Sequence, residues 1–568
     1  MKKTYKLNII FAGLFLGIIV FAFSAFDVKQ ETAQDMKPEI NENRILTEVN
    51  RSFSQSNAKT VNLFTVNNSY NKAEVNNFVK VSRLLKLNKD VLAGINSQKP
   101  SSLILPLELA DGSYMNLKLI KFDIRSPGYK VNEISSNGKK QLTSVSGTFY
   151  QGIVENDERS IVTLSVFENN VMGIISTDHG NLVLGAIKDE SKKLTDNYIL
   201  YNDNDIIEKA GFECGSGDTY DKFYKDPVNQ KSSNTNSAFT TSPVDIYFVC
   251  DYQMYLDNGN SVSAVEAFVN GAFLHVKTLY QNDGLSVNLQ TVDVYSSQDP
   301  YINLTTSTAI LERFGDETQD NFQGDLAHLL STGHGQNLGG IAWINVLCQS
   351  YEPASHSGRF AFSNIEGNYS PYPTYSWTVM VITHETGHNY GSMHTFACVW
   401  PTSSGQIDSC VSTGESCVST TRPNNNGTIM SYCHLNGAIN LTRGFGNLPK
   451  DTITLRYNQA LCLDNPLNSS EAPVAFNLLQ NYPNPFNPST NIKFALPQDG
   501  FVTLRVYDVA GREVAQLINS QYYEIGIYSF TLDANLLNLS SGVYLYRLDV
   551  SKDNNSVYSE IKKMVLIK

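Results

Sequence analysis

Residues 384–394 carry three histidines and a glutamate in the order His384-Glu385-x-x-His388-x-x-Gly391-x-x-His394. On a helix, residues four apart share a face, so His384 and His388 can offer two imidazoles to one ion. Glu385 follows the first ligand, where a carboxylate can hold and deprotonate a water. Gly391 permits a sharp turn, of the kind that needs positive φ, which ends the helix and brings His394 round as third ligand. Three protein ligands leave one tetrahedral position open, the arrangement of a catalytic rather than a structural zinc site. A bare HExxH is weak evidence, whereas the longer string fixes five positions. The bland alternative is a helix whose histidines merely pack or face water.

Elements able to position these groups surround the string. From Val244 onward the chain alternates strand and helix: strand Val244 to Cys250, helical periodicity over Ser263 to Tyr280, and an alternating strand from Leu285 to Val294. A further helical pattern spans Thr308 to Leu330, a strand-like run Ile341 to Leu347, and a helix Ser376 to Tyr390 bearing the metal ligands. Such β/α alternation predicts a mostly parallel, twisted sheet flanked by helices. Before it, Phe26 to Cys214 shows short β-type runs such as Ser160 to Val166. The polar stretch from Gly215 to Ser242 reads as an exposed, protease-sensitive linker. After it, the Pro-punctuated Asn481 to Pro488 cannot be helix, and alternating strands follow to the end.

The expected organisation is therefore multidomain. A signal peptide covers 1–25, a β-rich region and linker 26–241, the α/β domain 242–466, a linker 467–476 and an antiparallel β-sandwich 477–568. Lys2, Lys3 and Lys6 ahead of the apolar run Ile9 to Phe23 carry the first expectation, with an uncleaved anchor as alternative. At 568 residues several domains are expected. The excess of 55 acidic over 43 basic residues, a formal net charge of −12, argues against a nucleic-acid partner. Export makes disulfides permissible, which matters for a chain with 8 cysteines.

Residues from Val244 to about Asn465 resemble the adamalysin (reprolysin) family of metzincin zinc endopeptidases. Val244 to Tyr255 looks like the family's opening strand and loop, and Asp325 to Gly333 like its mid-domain helix end. Asn389, between His388 and Tyr390, also favours that family. The resemblance implies an α/β metzincin catalytic domain binding Zn2+ through His384, His388 and His394, with Glu385 as catalytic base. It implies that Gly340, Ile341, Ala342 and Trp343 form an edge strand pairing antiparallel with a peptide substrate. Met430, in Gly427 to Tyr432, would be the Met-turn floor beneath the histidines. Tyr432 departs from the family's usual proline and matches astacins and serralysins. It is read either as a donor to the developing oxyanion or as a wall of the specificity pocket. A calcium (Ca2+) site is implied at Asp245, Asp325, the Cys462 carbonyl and Asn465.

Residues 145 to 185 look like an adamalysin prodomain, Gly147 to Gly152 being the clearest echo. Residues 477 to 568 resemble the C-terminal sorting domain of the bacterial type IX secretion pathway, on Tyr482 to Pro488 and Gly542-Val543-Tyr544. The implied address is the surface or surroundings of a Gram-negative bacterium, reached through the periplasm. Implied partners are protein substrates and the type IX machinery, with a monomer expected. The family pattern implies a disulfide between Cys348 and Cys462. Pairing Cys398 with Cys433 and Cys410 with Cys417 would staple the insert after His394. Cys250, within an apolar strand, reads as a buried free thiol. Cys214 precedes the α/β domain by about thirty residues, ample reach for its thiolate to occupy the open zinc position and keep a precursor latent. A disulfide from Cys214 to Cys250 or to another cysteine is the alternative. Two rival readings remain: a non-catalytic surface adhesin on the same scaffold, and a protease of the serralysin or astacin branch.

Overall fold

Five strands of a seven-stranded sheet run parallel, in the spatial order Phe360–Asn364, Leu326–Ser331, Val244–Cys250, Val287–Tyr295 and Arg125–Ser135. The two-residue strand Ile341–Ala342 pairs antiparallel at one rim, and Gly138–Leu142 pairs antiparallel at the other. The structure, a computed structural model, describes residues 43–207, 214–216, 242–463 and 476–567, apart from short internal stretches of which 411–425 is the longest. The expected signal segment and nearly all of the expected 215–242 linker lie outside the described residues. The sheet nevertheless draws strands from both sides of that linker.

Central parallel strands are covered on both faces, so they read as continuous apolar runs instead of alternating ones. Helices Val262–Asn282 and Tyr375–Asn389 share one apolar cluster on one face, while Ser307–Thr318 packs with Trp343 in the cluster on the other. Helix Val262–Asn282 is also covered on its far side by a ten-stranded sheet built from residues 59–202. All but one of its neighbouring pairs are antiparallel. Strand Asp157–Phe167, buried at every position from Ser160 onward, shows the effect of this double covering. Ile161 faces the helix side, whereas Val162, Leu164 and Val166 enter a separate cluster with helix Lys89–Gln98.

Residues from 476 onward form two antiparallel sheets, one of three strands and one of four. Their inward residues, including Ile492, Phe494, Leu504, Val506, Tyr546 and Leu548, close into one cluster. Of the Pro-punctuated entry, 482–485 and 487 lie outside the described residues. Phe486 is buried there and bridges to Leu566.

Two local expectations need correction. The helical pattern over Thr308 to Leu330, like the helix end expected at Asp325 to Gly333, gives a helix only over Ser307–Thr318. Leu326–Ser331 is instead a fully buried central strand. Its Leu and Ala are good helix formers, but six residues buried on both faces show no period. Gly324, at φ 137°, precedes it where a Cβ would stand 2.8 Å from the Asp245 carbonyl. The run Ile341 to Leu347 is strand only at Ile341–Ala342. Beyond it Asn345 adopts φ 62° and its N–H donates to the His388 carbonyl, so the chain leaves the sheet to cap a helix end.

Two histidines lie wholly inside this assembly. His275 is hydrogen bonded to Thr163, and His328 to Ser363. Burial holds both rings neutral, lowering each pKa to about 3. The unfolded chain binds these protons near pH 6.5 and the folded chain does not. Their stabilisation is therefore complete above pH 6.5 and lost as pH falls toward 3, at about 1.4 kcal/mol per pH unit for each ring. Urea midpoints should drop steadily from pH 6.5 to 4, with a shallower slope in His328→Gln.

Candidate metal centre

Helix Tyr375–Asn389 is buried almost throughout, the signature of an interior helix rather than a surface one. It sets His384 and His388 one turn apart. At its end Gly391 takes φ 103°, and the chain doubles back to bring in His394. The three Nε2 atoms stand 3.1–3.2 Å from one another. His384 Nδ1 donates to the Ile429 carbonyl at 2.8 Å, and His388 Nδ1 to the Ser392 carbonyl at 2.7 Å. Those bonds fix the tautomer and leave each Nε2 lone pair facing the common point. Burial, reinforced by the charge of His394, holds His384 and His388 well below the usual imidazole pKa. Three imidazoles whose Nε2 atoms converge at this distance crowd one another unless a cation lies between them, and this donor set suits zinc.

Glu385 is fully buried, and burial pushes its carboxyl well above the ordinary range. Its Oε1 has no hydrogen-bond partner among the described residues. Its Oε2 lies 3.5 Å from the Cys214 thiol, and the same sulfur lies 3.6 Å from His388 Nε2. Cys214, His384, His388 and His394 thus form one group whose candidate ligand atoms all lie within 4.8 Å of one another. Burial, then the Glu385 charge, raises the thiol pKa. Cys214 and Cys250 are both free, so no disulfide joins them.

Met430 packs under the helix, and a Cβ on Gly387 would stand 2.8 Å from its sulfur. Tyr432 lies beside His394, ring centroids 4.9 Å apart. Its hydroxyl accepts from the Cys214 N–H at 2.6 Å and donates to the Cys214 carbonyl at 3.1 Å. Gly215 N–H donates to the Gly340 carbonyl at 2.8 Å. The Ser216 hydroxyl accepts from Ala342 N–H at 2.9 Å and donates to its carbonyl at 3.0 Å. Residues 214–216 therefore lie along the edge strand with Cys214 at the histidines. Trp343 is buried one residue further on.

Gly340 is a glycine for a local reason: a Cβ would stand 2.2 Å from Glu385 Oε1. Gly340→Ala should shift either the carboxylate or the edge strand. A loss of about 10²-fold in kcat/KM is expected, with metal content unchanged by elemental analysis.

Cys348 pairs with Cys462. The expected Cys398–Cys433 bond is not formed, because Cys433 pairs with Cys410, and the Cys410–Cys417 pairing fails with it. Spacing in the insert cannot show that the Met-turn brings Cys433 within a Cα separation of 4.9 Å of Cys410. That bond also takes up the second cluster of potential ligands, Asp408, Cys410 and Cys433. Asp245 and Asp325 are neighbours, Asp325 Oδ2 accepting from Asp245 N–H at 2.8 Å. The Asp245 carboxylate itself accepts from the Ser126 hydroxyl at 2.5 Å. Cys462 is half-buried in its disulfide and Asn465 lies outside the described residues. His434 packs its ring against Trp377 and Tyr432, outside the metal group.

Three supporting residues escape a reading of spacing alone. The Asn389 amide donates to the carbonyls of Trp343 and Phe360, both at 2.9 Å, tying the edge strand to the end of the histidine helix. Phe396 stacks on His394 with ring centroids 4.8 Å apart, and the Trp400 indole donates to the His394 carbonyl at 2.8 Å. The sequence signal was present in the aromatics two and six residues past the third histidine.

A buried helix with an imidazole triad, backed by a methionine and flanked by a short strand at the rim of the sheet, is the arrangement of a metalloprotease site. Residues 240–441 match the model of metallo-peptidase family M12, and residues 480–567 match the secretion system C-terminal sorting domain. The chain thus carries an M12 metallopeptidase domain and a type IX sorting domain, and is a secreted metalloprotease directed to the cell surface or extracellular space of a Gram-negative bacterium. It is similar to the snake venom metalloproteinase trimerelysin-2 of Protobothrops flavoviridis, 25% identical over 159 residues, covering 27% of this chain and 72% of the relative. Among solved structures it is similar to metalloproteinase-II from Bacteroides fragilis, with 14% identity and a TM-score of 0.32 over 54% of this chain and 85% of that one. OgpA from Akkermansia muciniphila matches at 11% identity and a TM-score of 0.20, over 60% of this chain and 96% of that one.

Proposed function

We propose that the protein is an adamalysin-like zinc endopeptidase acting on extracellular proteins, made as a latent precursor whose residues 214–216 fill the cleft. The observation that carries this reading is the convergence of three Nε2 atoms beside a buried carboxylate, one oxygen of which has no partner among the described residues. His384, His388 and His394 would hold zinc, which polarises a scissile carbonyl and lowers the pKa of water toward about 7. Glu385 takes the proton from the attacking water and returns it to the leaving amine. The Tyr432 hydroxyl would donate to the developing oxyanion, a role supported by its bonds to a backbone N–H and carbonyl at the site. Gly340 to Trp343 would bind substrate main chain as an added strand.

The same contacts support latency. Gly215 meets Gly340 and Ser216 meets Ala342, so the segment runs in the same sense as the edge strand. A substrate pairing antiparallel would run the opposite way, so this segment presents its peptide groups reversed to Glu385. Cys214 would meanwhile take the fourth ligand position.

Zinc content and casein hydrolysis by the processed protein test this reading. Chelation should abolish hydrolysis and zinc should restore it. A metal-free processed protein, or hydrolysis indifferent to chelation, would remove the peptidase assignment in favour of an adhesin. The neighbouring Asp245 and Asp325 support a calcium role as well. Calcium should raise the melting temperature of the processed protein, and Asp325→Ala should lose that shift.

A further inference from the structure

The N-terminal unit is built into the catalytic sheet, not merely laid across the cleft. Strand Arg125–Ser135 pairs parallel with Val287–Tyr295, matching Thr291 with Lys130 through to Tyr295 with Ile134. Two carboxylates of the catalytic part take most of their partners from it. Glu266, 1% exposed on helix Val262–Asn282, accepts from Ser144 Oγ at 2.7 Å, Val145 N–H at 2.9 Å and Tyr129 Oη at 3.1 Å, with Arg125 Nη2 at 3.6 Å. Asp293, wholly buried, accepts from Asn132 Nδ2 at 2.7 Å and Lys139 Nζ at 2.5 Å, besides Tyr247 of its own domain. On the same helix His275 bonds Thr163, and a Cβ on Gly271 would stand 2.4 Å from the Met172 sulfur.

Among the described residues, the segment in the cleft has no such roots. Residues 214–216 hold the site by the contacts already described, and the next described residue upstream is Ile207, whose N–H donates to the Phe78 carbonyl. Only residues 208–213 separate that anchor from Cys214. A cut after residue 216 therefore leaves the segment tethered to a docked body at high effective concentration, free to rebind.

Resting on the latency reading above, we infer that residues 43–207 remain bound to the catalytic part as a non-covalent subunit after the chain is cut. Release of inhibition then requires a cut upstream of Cys214 as well as one downstream. Main-chain pairing, two buried carboxylates satisfied across the join and close packing hold the subunit. None of these contacts lies in the cleft, so a substrate and the subunit can be bound together.

The test uses the full chain with one specific cleavage site introduced within 225–231 and, in a second version, another within 209–212. After cleavage, gel filtration reads association and casein hydrolysis reads the cleft. The expected result is co-elution of both large fragments in both versions. Hydrolysis stays at the uncut level after the downstream cut and rises at least tenfold after both. Adding Arg125→Ala and Ser144→Ala, which removes partners of Glu266, should lower the urea concentration that separates the fragments. Separation of the 43–207 fragment in buffer alone overturns the subunit, whether or not the catalytic fragment is active. Co-elution without hydrolysis after both cuts keeps the subunit and counts against the peptidase reading. Full hydrolysis after the downstream cut alone, with co-elution, overturns the two-cut requirement.

Discussion

Glu385→Gln should reduce casein hydrolysis by the processed protein by about 10³-fold, since positioned proton transfer contributes roughly 10²–10⁴. Zinc content should remain that of the unaltered protein, because His384 and His388 hold their rings through bonds to the Ile429 and Ser392 carbonyls and not through Glu385. The amide is close to the carboxylate in size, so Gly340 can still pack against it. Parallel measurement of metal content and kcat therefore separates loss of a base from loss of the site. His388→Ala serves as the contrast, expected to lose both. Retention of more than a tenth of the activity in Glu385→Gln would mean that another group takes the proton.

Cys214→Ala should do the reverse in the uncut precursor and raise its activity. The sulfur lies 3.5 Å from Glu385 and 3.6 Å from His388. Removing one charge-assisted contact of about 1.5–3 kcal/mol corresponds to roughly 10- to 100-fold in occupancy of the cleft. Gly215 and Ser216 keep their bonds to Gly340 and Ala342, so activity should stay below that of the processed protein. Adding Ser216→Ala should narrow the gap. A Cys214→Ala precursor as silent as its parent would show that the thiol has no part in latency.

The three histidines were legible because four-residue spacing on a helix and one glycine turn are local geometry. Strand Val244–Cys250 and helix Val262–Asn282 were legible for the same reason. What stayed hidden depends on distant chain. Leu326–Ser331 reads as helix until both faces of the sheet cover it, and strand Phe360–Asn364 drew no notice in so short a run. Cys433 meets Cys410 only because the Met-turn is folded beneath the histidine helix. The join between Arg125–Ser135 and Val287–Tyr295 spans more than 150 residues, and parallel pairing at that range leaves no local signature. Its trace survives as two buried carboxylates, Glu266 and Asp293.

The bond from Cys348 to Cys462 closes a covalent ring with a sequence separation of 114 residues, and every imidazole of the triad, together with Glu385 and Tyr432, lies inside it. A single nick anywhere on that ring, by a neighbouring copy or by another protease in the surroundings, leaves both ends attached to the same molecule. Self-digestion at one bond then wounds the enzyme without dividing it. Damaged protein would migrate undiminished on a gel until a reductant is added.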